Sequence, residues 1–174
     1  IIKKRINLGH MMQAARDAVK CGMTLQANFV LGHHEESLSD ILSTYRFLVH
    51  CAWVGFTEVH LACFYPLPNT EDWEKLRAQG RIPEYSDSLF LTIFQGADPL
   101  RPVSWNEHFS DRQMQIMIVF GYALFYGSSW VFRPWRFFQL LYHLATGQAT
   151  NKTERILKES FRKIRMIGHA EAAN

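Results

Sequence analysis

Apolar and polar residues alternate from Met23 to Leu31 and again from Phe56 to Tyr65, and a stretch of helical spacing follows each alternation. A period of two predicts a strand and a period of 3.6 a helix. In the first strand Thr24, Gln26, Asn28 and Val30 share one face, while Met23, Leu25, Ala27, Phe29 and Leu31 share the other. In the second, Glu58 and His60 share a face with Phe56, Ala62 and Phe64, against Val59, Leu61 and Cys63. Between them Leu38, Ile41, Leu42, Tyr45, Leu48, Val49 and Ala52 follow a helical stripe that Ser37 or Ser39 can cap and Gly55 breaks. Asn7 caps an expected first helix from Leu8 to Lys20 with Gly22 as its stop, and a third helix starts near Thr70 and ends at Gly80. Glu71 and Asp72 in its first turn favour the positive end of the helix dipole. Strand, helix, strand, helix at this spacing predicts parallel βα units, neighbouring staves of an α/β barrel.

From Arg81 to Phe109 the periodicity fades among prolines 83, 99 and 102, Gly96 and several serines, which predicts irregular loops over one mouth of the sheet. Helical patterns return over Asp111 to Phe132, Pro134 to Thr146 and Lys152 to Ile167. The expected organisation is therefore βα units over 1–80, a connecting segment over 81–110 and a helical region over 111–174.

Hydrophobic residues make up 48% of the 174, enough to bury a core, which excludes global disorder. The formal charge of +3 is too small and too scattered for a nucleic-acid footprint, so no nucleic-acid partner is expected. Three dispersed cysteines, Cys21, Cys51 and Cys63, form no metal or disulfide spacing and point to a reducing, cytoplasmic setting. The run from Ile116 to Phe132 has no charged residue and suits a buried helix better than an interfacial or a spanning one. Trp130, Phe132, Trp135, Phe137 and Phe138 among Arg133, Arg136 and His143 fit either a peripheral membrane contact through 116–143 or a helix pair packed on the protein.

With the apolar faces turned to the helices, Gln26, Asn28, Glu58 and His60 point to the opposite side, which in a barrel is the lumen. Buried there, a Glu or His needs a partner, water or a ligand. The alternative is a half-exposed antiparallel sheet with this polar face in solvent. The loop Gly32-His33-His34-Glu35-Glu36 carries donors that suit zinc or iron, but adjacent histidines are expected to point apart, so no metal ligand is assigned. A metal-dependent barrel hydrolase using His33, His34, Glu58 and His60 stays open as a rival, as does a non-catalytic membrane- or partner-binding module.

The segment Asn28-Phe29-Val30-Leu31-Gly32-His33-His34-Glu35-Glu36-Ser37 resembles the fifth-strand motif of radical S-adenosylmethionine (SAM) enzymes, a strand ending in Gly followed by x-Pro-x-Glu-Thr/Ser and a helix. Phe64-Tyr65-Pro66-Leu67-Pro68-Asn69-Thr70 resembles the sixth-strand ending of the same family, Pro-x-Pro-Gly-Thr, in the right order and separation. His34 stands in place of the usual proline and Asn69 in place of the usual glycine. The stretch from Phe120 through Pro134 is similar to the tails of cobalamin-binding radical SAM proteins, the anaerobic magnesium-protoporphyrin monomethyl ester cyclase and hopanoid-biosynthesis groups above all.

The resemblance implies the C-terminal part of a partial (β/α)6 TIM-type barrel followed by a helical region. It implies an enzyme that cleaves SAM reductively at a [4Fe–4S] cluster to a 5′-deoxyadenosyl radical, or transfers methyl groups with cobalamin, on an apolar biosynthetic intermediate. In that family a CxxxCxxC loop binds the cluster. None of the cysteines here has that spacing, so the cluster ligands are expected outside this chain, which alone is expected to be inactive. Val30 takes the position that packs on the adenine, Gly32 lets the backbone approach the cofactor, and Gln26, Asn28, Glu58 and His60 complete the expected cofactor-binding set. No catalytic residue is assigned.

Overall fold

The computed structural model describes residues 7–82, Leu89, Leu91, Asp98 and 101–146. The helix expected over Lys152 to Ile167 and the Lys3-Lys4-Arg5 cluster lie outside the described residues. The described elements, in order, are α1 (Leu8–Lys20), β1 (Gln26–Leu31), α2 (Leu38–Val54), β2 (Glu58–Cys63), α3 (Glu71–Ala78), α4 (Asp111–Phe132) and α5 (Trp135–Thr146). Two compact units divide the chain, Ile1–Ser128 and Ser129–Asn174.

Local chemistry explains where the elements begin and stop. The Asn7 side chain accepts the His10 N–H at 3.1 Å, and Thr70 Oγ1 accepts the Trp73 N–H at 3.3 Å, each satisfying an otherwise orphaned donor of a first turn. At α2 the Asp40 carboxylate accepts the Ser37 N–H at 2.9 Å and the Ser37 hydroxyl at 2.6 Å, bonds that hold its pKa below the ordinary value. Gly22, Gly55 and Gly80, which follow α1, α2 and α3, all take positive φ.

β1 and β2 pair in parallel, which removes the antiparallel alternative. Among the described residues they form a mixed α/β fold with a two-stranded sheet. The strands are shorter than their alternations, since Met23 to Leu25 and Phe56 to Thr57 only lead into them. Thr57 and Glu58 nevertheless extend the ladder through N–H bonds to the Leu25 carbonyl at 2.9 and 3.2 Å.

One sheet face carries the core of the first unit. Leu31 and Leu61 are fully buried, and Ala27, Val59 and Cys63 nearly so. Phe29 meets Phe47 of α2 edge-on at 6.0 Å. Within α4, Met114, Ile118, Gly121 and Phe125 form a buried stripe at helical spacing. Gly121 makes the approach possible, because a Cβ there would stand 2.6 Å from Leu61 Cδ1. Tyr45 of α2 donates its hydroxyl to the Met117 carbonyl at 2.7 Å, and burial pushes that hydroxyl's pKa up to about 12. Tyr122 accepts the Leu61 N–H at 3.1 Å. By length and composition α4 is long and apolar enough to cross a membrane. Although this stripe is occupied by protein, only 22% of the helix's apolar window is buried and Ile116, Val119, Phe120 and Val131 are exposed, so the buried helix expected over this run is only partly realised.

A second cluster, Trp73, Leu76, Ile82, Leu89 and Trp105 with Phe64, Tyr65 and Val103 against it, lies beyond the carboxyl end of β2. Tyr65 anchors it by donating to the Leu89 carbonyl at 3.1 Å and meeting Trp105 edge-on. In the second unit Trp130 meets Phe137 edge-on at 5.3 Å, and Arg136 Nη1 donates to Ser129 Oγ at 3.0 Å. Trp135, Phe138, Leu141 and Tyr142 of α5 are exposed.

Candidate functional site

Among the described residues the face opposite the core is open. Gln26, Asn28 and Val30 are exposed, and Glu58, His60 and Ala62 are half-buried. The parallel register sets Gln26 opposite Glu58, Asn28 opposite His60 and Val30 opposite Ala62, so four polar side chains form a two-by-two patch. Gln26 Nε2 donates to Asn28 Oδ1 at 2.6 Å along the strand. Strand parity thus brings together five of the six residues expected to bind a cofactor. Val30 is 58% exposed, at the carboxyl-end side of the patch.

Gly32 is different. It has φ +82 and is buried, and a Cβ built on it would stand 2.7 Å from Met114 Cε and 3.0 Å from Met114 Sδ. The reason expected for this glycine, close approach of a cofactor, is not what the structure displays: the space is filled by α4. Its N–H is taken by the Glu36 carboxylate, which closes the loop on the strand end.

That loop gathers a second constellation. His33 Nε2 lies 3.2 Å from Asp72 Oδ2, and His34 Nδ1 lies 3.7 Å from Asp72 Oδ1. The two imidazole rings stand 4.3 Å apart and His33 rests on Phe64 at 4.6 Å. Adjacent histidines were expected to diverge; here they converge. The tight turn opened by Gly32 folds both rings towards Asp72, which Thr70 delivers by capping α3. One donor atom each from His33, His34 and Asp72 lies within 4.8 Å of the others.

The connecting segment locks this turn in place. Asn106, 5% exposed, donates its amide to the carbonyls of His33 and Glu36, while its Oδ1 accepts the N–H groups of His108 and Phe109. The Glu107 N–H bonds the His34 carbonyl at 3.1 Å. Residues 101–110 therefore cover the carboxyl end of β1, while most of the rest of the segment expected over one mouth of the sheet, 83–100, lies outside the described residues. Spacing gave no hint of Asn106, whose partners lie 70 and 73 positions away.

Electrostatics differ across the loop. Lys75, 3.4 Å from Glu35, holds the Glu35 carboxyl below the ordinary range, whereas burial pushes that of Glu36 above it. The rival metal set is not assembled as expected. His60 stands level with Asn28, three residues and about 10 Å of strand before Leu31, so Glu58 and His60 line the open face while His33 and His34 turn to Asp72.

The cysteines do not fit an iron–sulfur cluster. Cys51 and Cys63 are buried apart, their thiols pushed by burial up to about 11 and about 12, and Cys21 is exposed at the end of α1. Cluster ligation needs several thiolates converging on one point, and among the described residues the cysteines gather at none. Comparison with protein-family models, with curated proteins and with solved structures returned no match to this chain.

Proposed function

We propose that this chain is the C-terminal part of a radical SAM enzyme and supplies the adenosine side of its SAM site. One observation carries the reading: two parallel strands present Gln26, Asn28 and Val30 beside Glu58, His60 and Ala62 on a face that no described element covers, while the opposite face packs against helices. In a partial (β/α)6 barrel that face is the lumen. Val30 offers an apolar surface to the adenine, and the neighbouring amides, carboxylate and imidazole offer hydrogen bonds to the sugar and amino acid.

Asn69 supports the same reading. It adopts φ +64 in the turn after β2, the conformation that a glycine takes without strain, so the departure from the Pro-x-Pro-Gly-Thr pattern leaves the backbone path open. The cluster, and cobalamin where used, belong to sequence beyond this chain, and the substrate is an apolar biosynthetic intermediate. The exposed aromatic residues of α5 favour a peripheral membrane contact for the second unit, in a cytoplasmic protein. Liposome flotation that is lost on changing Trp135 and Phe138 to Ala tests that part.

The enzymatic reading is tested by the polypeptide as its coding sequence defines it. It should carry a CxxxCxxC loop ahead of Ile1 and, reduced anaerobically, should release 5′-deoxyadenosine from SAM. The 1–174 chain alone should release none. Absence of the cysteine loop, or SAM cleavage by the isolated chain, would contradict the reading.

A further inference from the structure

We infer that His33, His34 and Asp72 form a site for one divalent transition-metal ion of the zinc class, tying the end of β1 to the start of α3. The inference does not depend on SAM binding and concerns a different place, the loop beyond the strand rather than the open sheet face.

The chemistry of the donors comes first. Two imidazoles and a carboxylate suit zinc and its neighbours in the first transition row better than calcium or magnesium, which prefer oxygen throughout. Their donor atoms lie within 4.8 Å of one another. A tetrahedral ion with bonds of about 2.0–2.1 Å separates its ligands by about 3.4 Å. The His33–Asp72 contact at 3.2 Å already matches, and His34 must close by a rotation of its ring.

The second observation is independent. His34 is 1% exposed, and neither of its ring nitrogens makes a hydrogen bond. Carboxylates are near both, but the Asp72 contact is too long at 3.7 Å and the Glu35 contact at 3.2 Å is out of line. A buried imidazole with both nitrogens unsatisfied costs stability that an ordinary core histidine avoids. A metal on Nδ1 removes that cost and sets Nε2 as the donor toward Glu35, the carboxylate–histidine–metal arrangement that orients ligating imidazoles. Glu35 is fixed for this role by Lys75, and the His33–Glu36 turn by Asn106. Three protein ligands leave a fourth position for water or for a ligand atom. His34 replaces the proline of the radical SAM pattern, so the pair is a property of this chain's own residues.

The test uses the metal-free 1–174 chain without an affinity tag, titrated with Zn2+ by calorimetry and with Co2+ by visible absorption. The expected result is one equivalent bound, Co2+ bands of a four-coordinate nitrogen–oxygen site, and a higher melting temperature with Zn2+. His33→Gln and Asp72→Asn should each weaken binding by at least about tenfold and abolish the Zn2+-induced shift, each variant being compared with its own metal-free form. His34→Gln should do the same; if it does not fold, the other two variants decide. Equal affinity in wild type and Asp72→Asn, or no binding by wild type, would overturn the inference.

Discussion

Asn28 and His60 face each other across a parallel register, on the side of the sheet that no helix covers among the described residues. Parallel strands are ordinarily buried on both faces, so an uncovered face with polar side chains marks a surface made for something else. The difference between the two faces can be measured. Leu61→Ala, at a fully buried position, should cost about 2–5 kcal/mol in urea unfolding, and Val30→Ala on the open face less than about 0.5 kcal/mol. Equal costs would mean that the open face is packed.

Gly32 combines a positive φ with a side-chain position filled by Met114. Gly32→Ala should destabilise by about 1–2 kcal/mol from the backbone alone, with about 1–3 kcal/mol more from overpacking. Adding Met114→Ala should recover the overpacking part of the Gly32→Ala penalty and leave the backbone part. A double-mutant cycle with no coupling between the two sites would show that they do not touch.

Asn69, at φ +64, should accept glycine at little cost or with a small gain. Asn69→Val should lose about 1–2 kcal/mol, because a β-branched side chain resists the left-handed region. Thermal melts of the two variants, displaced in opposite directions or by clearly unequal amounts, check this.

Burial also sorts the three thiols. Cys21 is exposed, whereas burial raises Cys51 to about 11 and Cys63 to about 12, the latter helped by the charges of Asp111 and Glu36. Native chain at neutral pH should react with a thiol-specific disulfide reagent at one position and at all three only after unfolding. Rapid native labelling of Cys63 would contradict the packing of β2 beneath residues 101–110.

Glu36 provides a pH signature. Burial raises its carboxyl above the ordinary 4.5, against the opposing N–H bonds of Gly32 and His33. A carboxyl raised on folding contributes stability that is fully present below the unfolded value and is lost as pH rises through the folded value. Glu36→Gln keeps an acceptor oxygen for the Gly32 N–H but does not ionise. Its stability relative to wild type should therefore increase in denaturant titrations as pH rises above the ordinary 4.5, levelling off once Glu36 is ionised in the folded chain. A constant difference would show that Glu36 titrates normally.

How much of this could be read from the chain depends on the range of the interactions. Helix α1 with its Asn7 cap, the Thr70 cap and the span Asp111–Phe132 match their sequence patterns, because caps and stripes are encoded within a turn or two. Strand parity likewise placed Gln26, Asn28, Glu58 and His60 on one face, since side chains alternate wherever a strand forms. The strand ends came out shorter, as pairing and not alternation decides them. What composition could not reveal is contact across the chain: His33 finds Asp72 39 positions on, and Gly32 owes its place to Met114. Neighbouring histidines looked divergent because backbone spacing alone ignores the turn that Gly32 and Asn106 impose.

The central claim, that the open face of β1 and β2 holds the adenosine side of SAM, is tested most directly by SAM binding to the anaerobically prepared complete polypeptide carrying Val30→Asp. The exposed valine tolerates the change structurally, so the melting curve should stay close to wild type while SAM affinity falls by at least about tenfold, the loss of an apolar contact to the base and a charge in its place. Unchanged SAM affinity in a folded Val30→Asp protein would contradict the account.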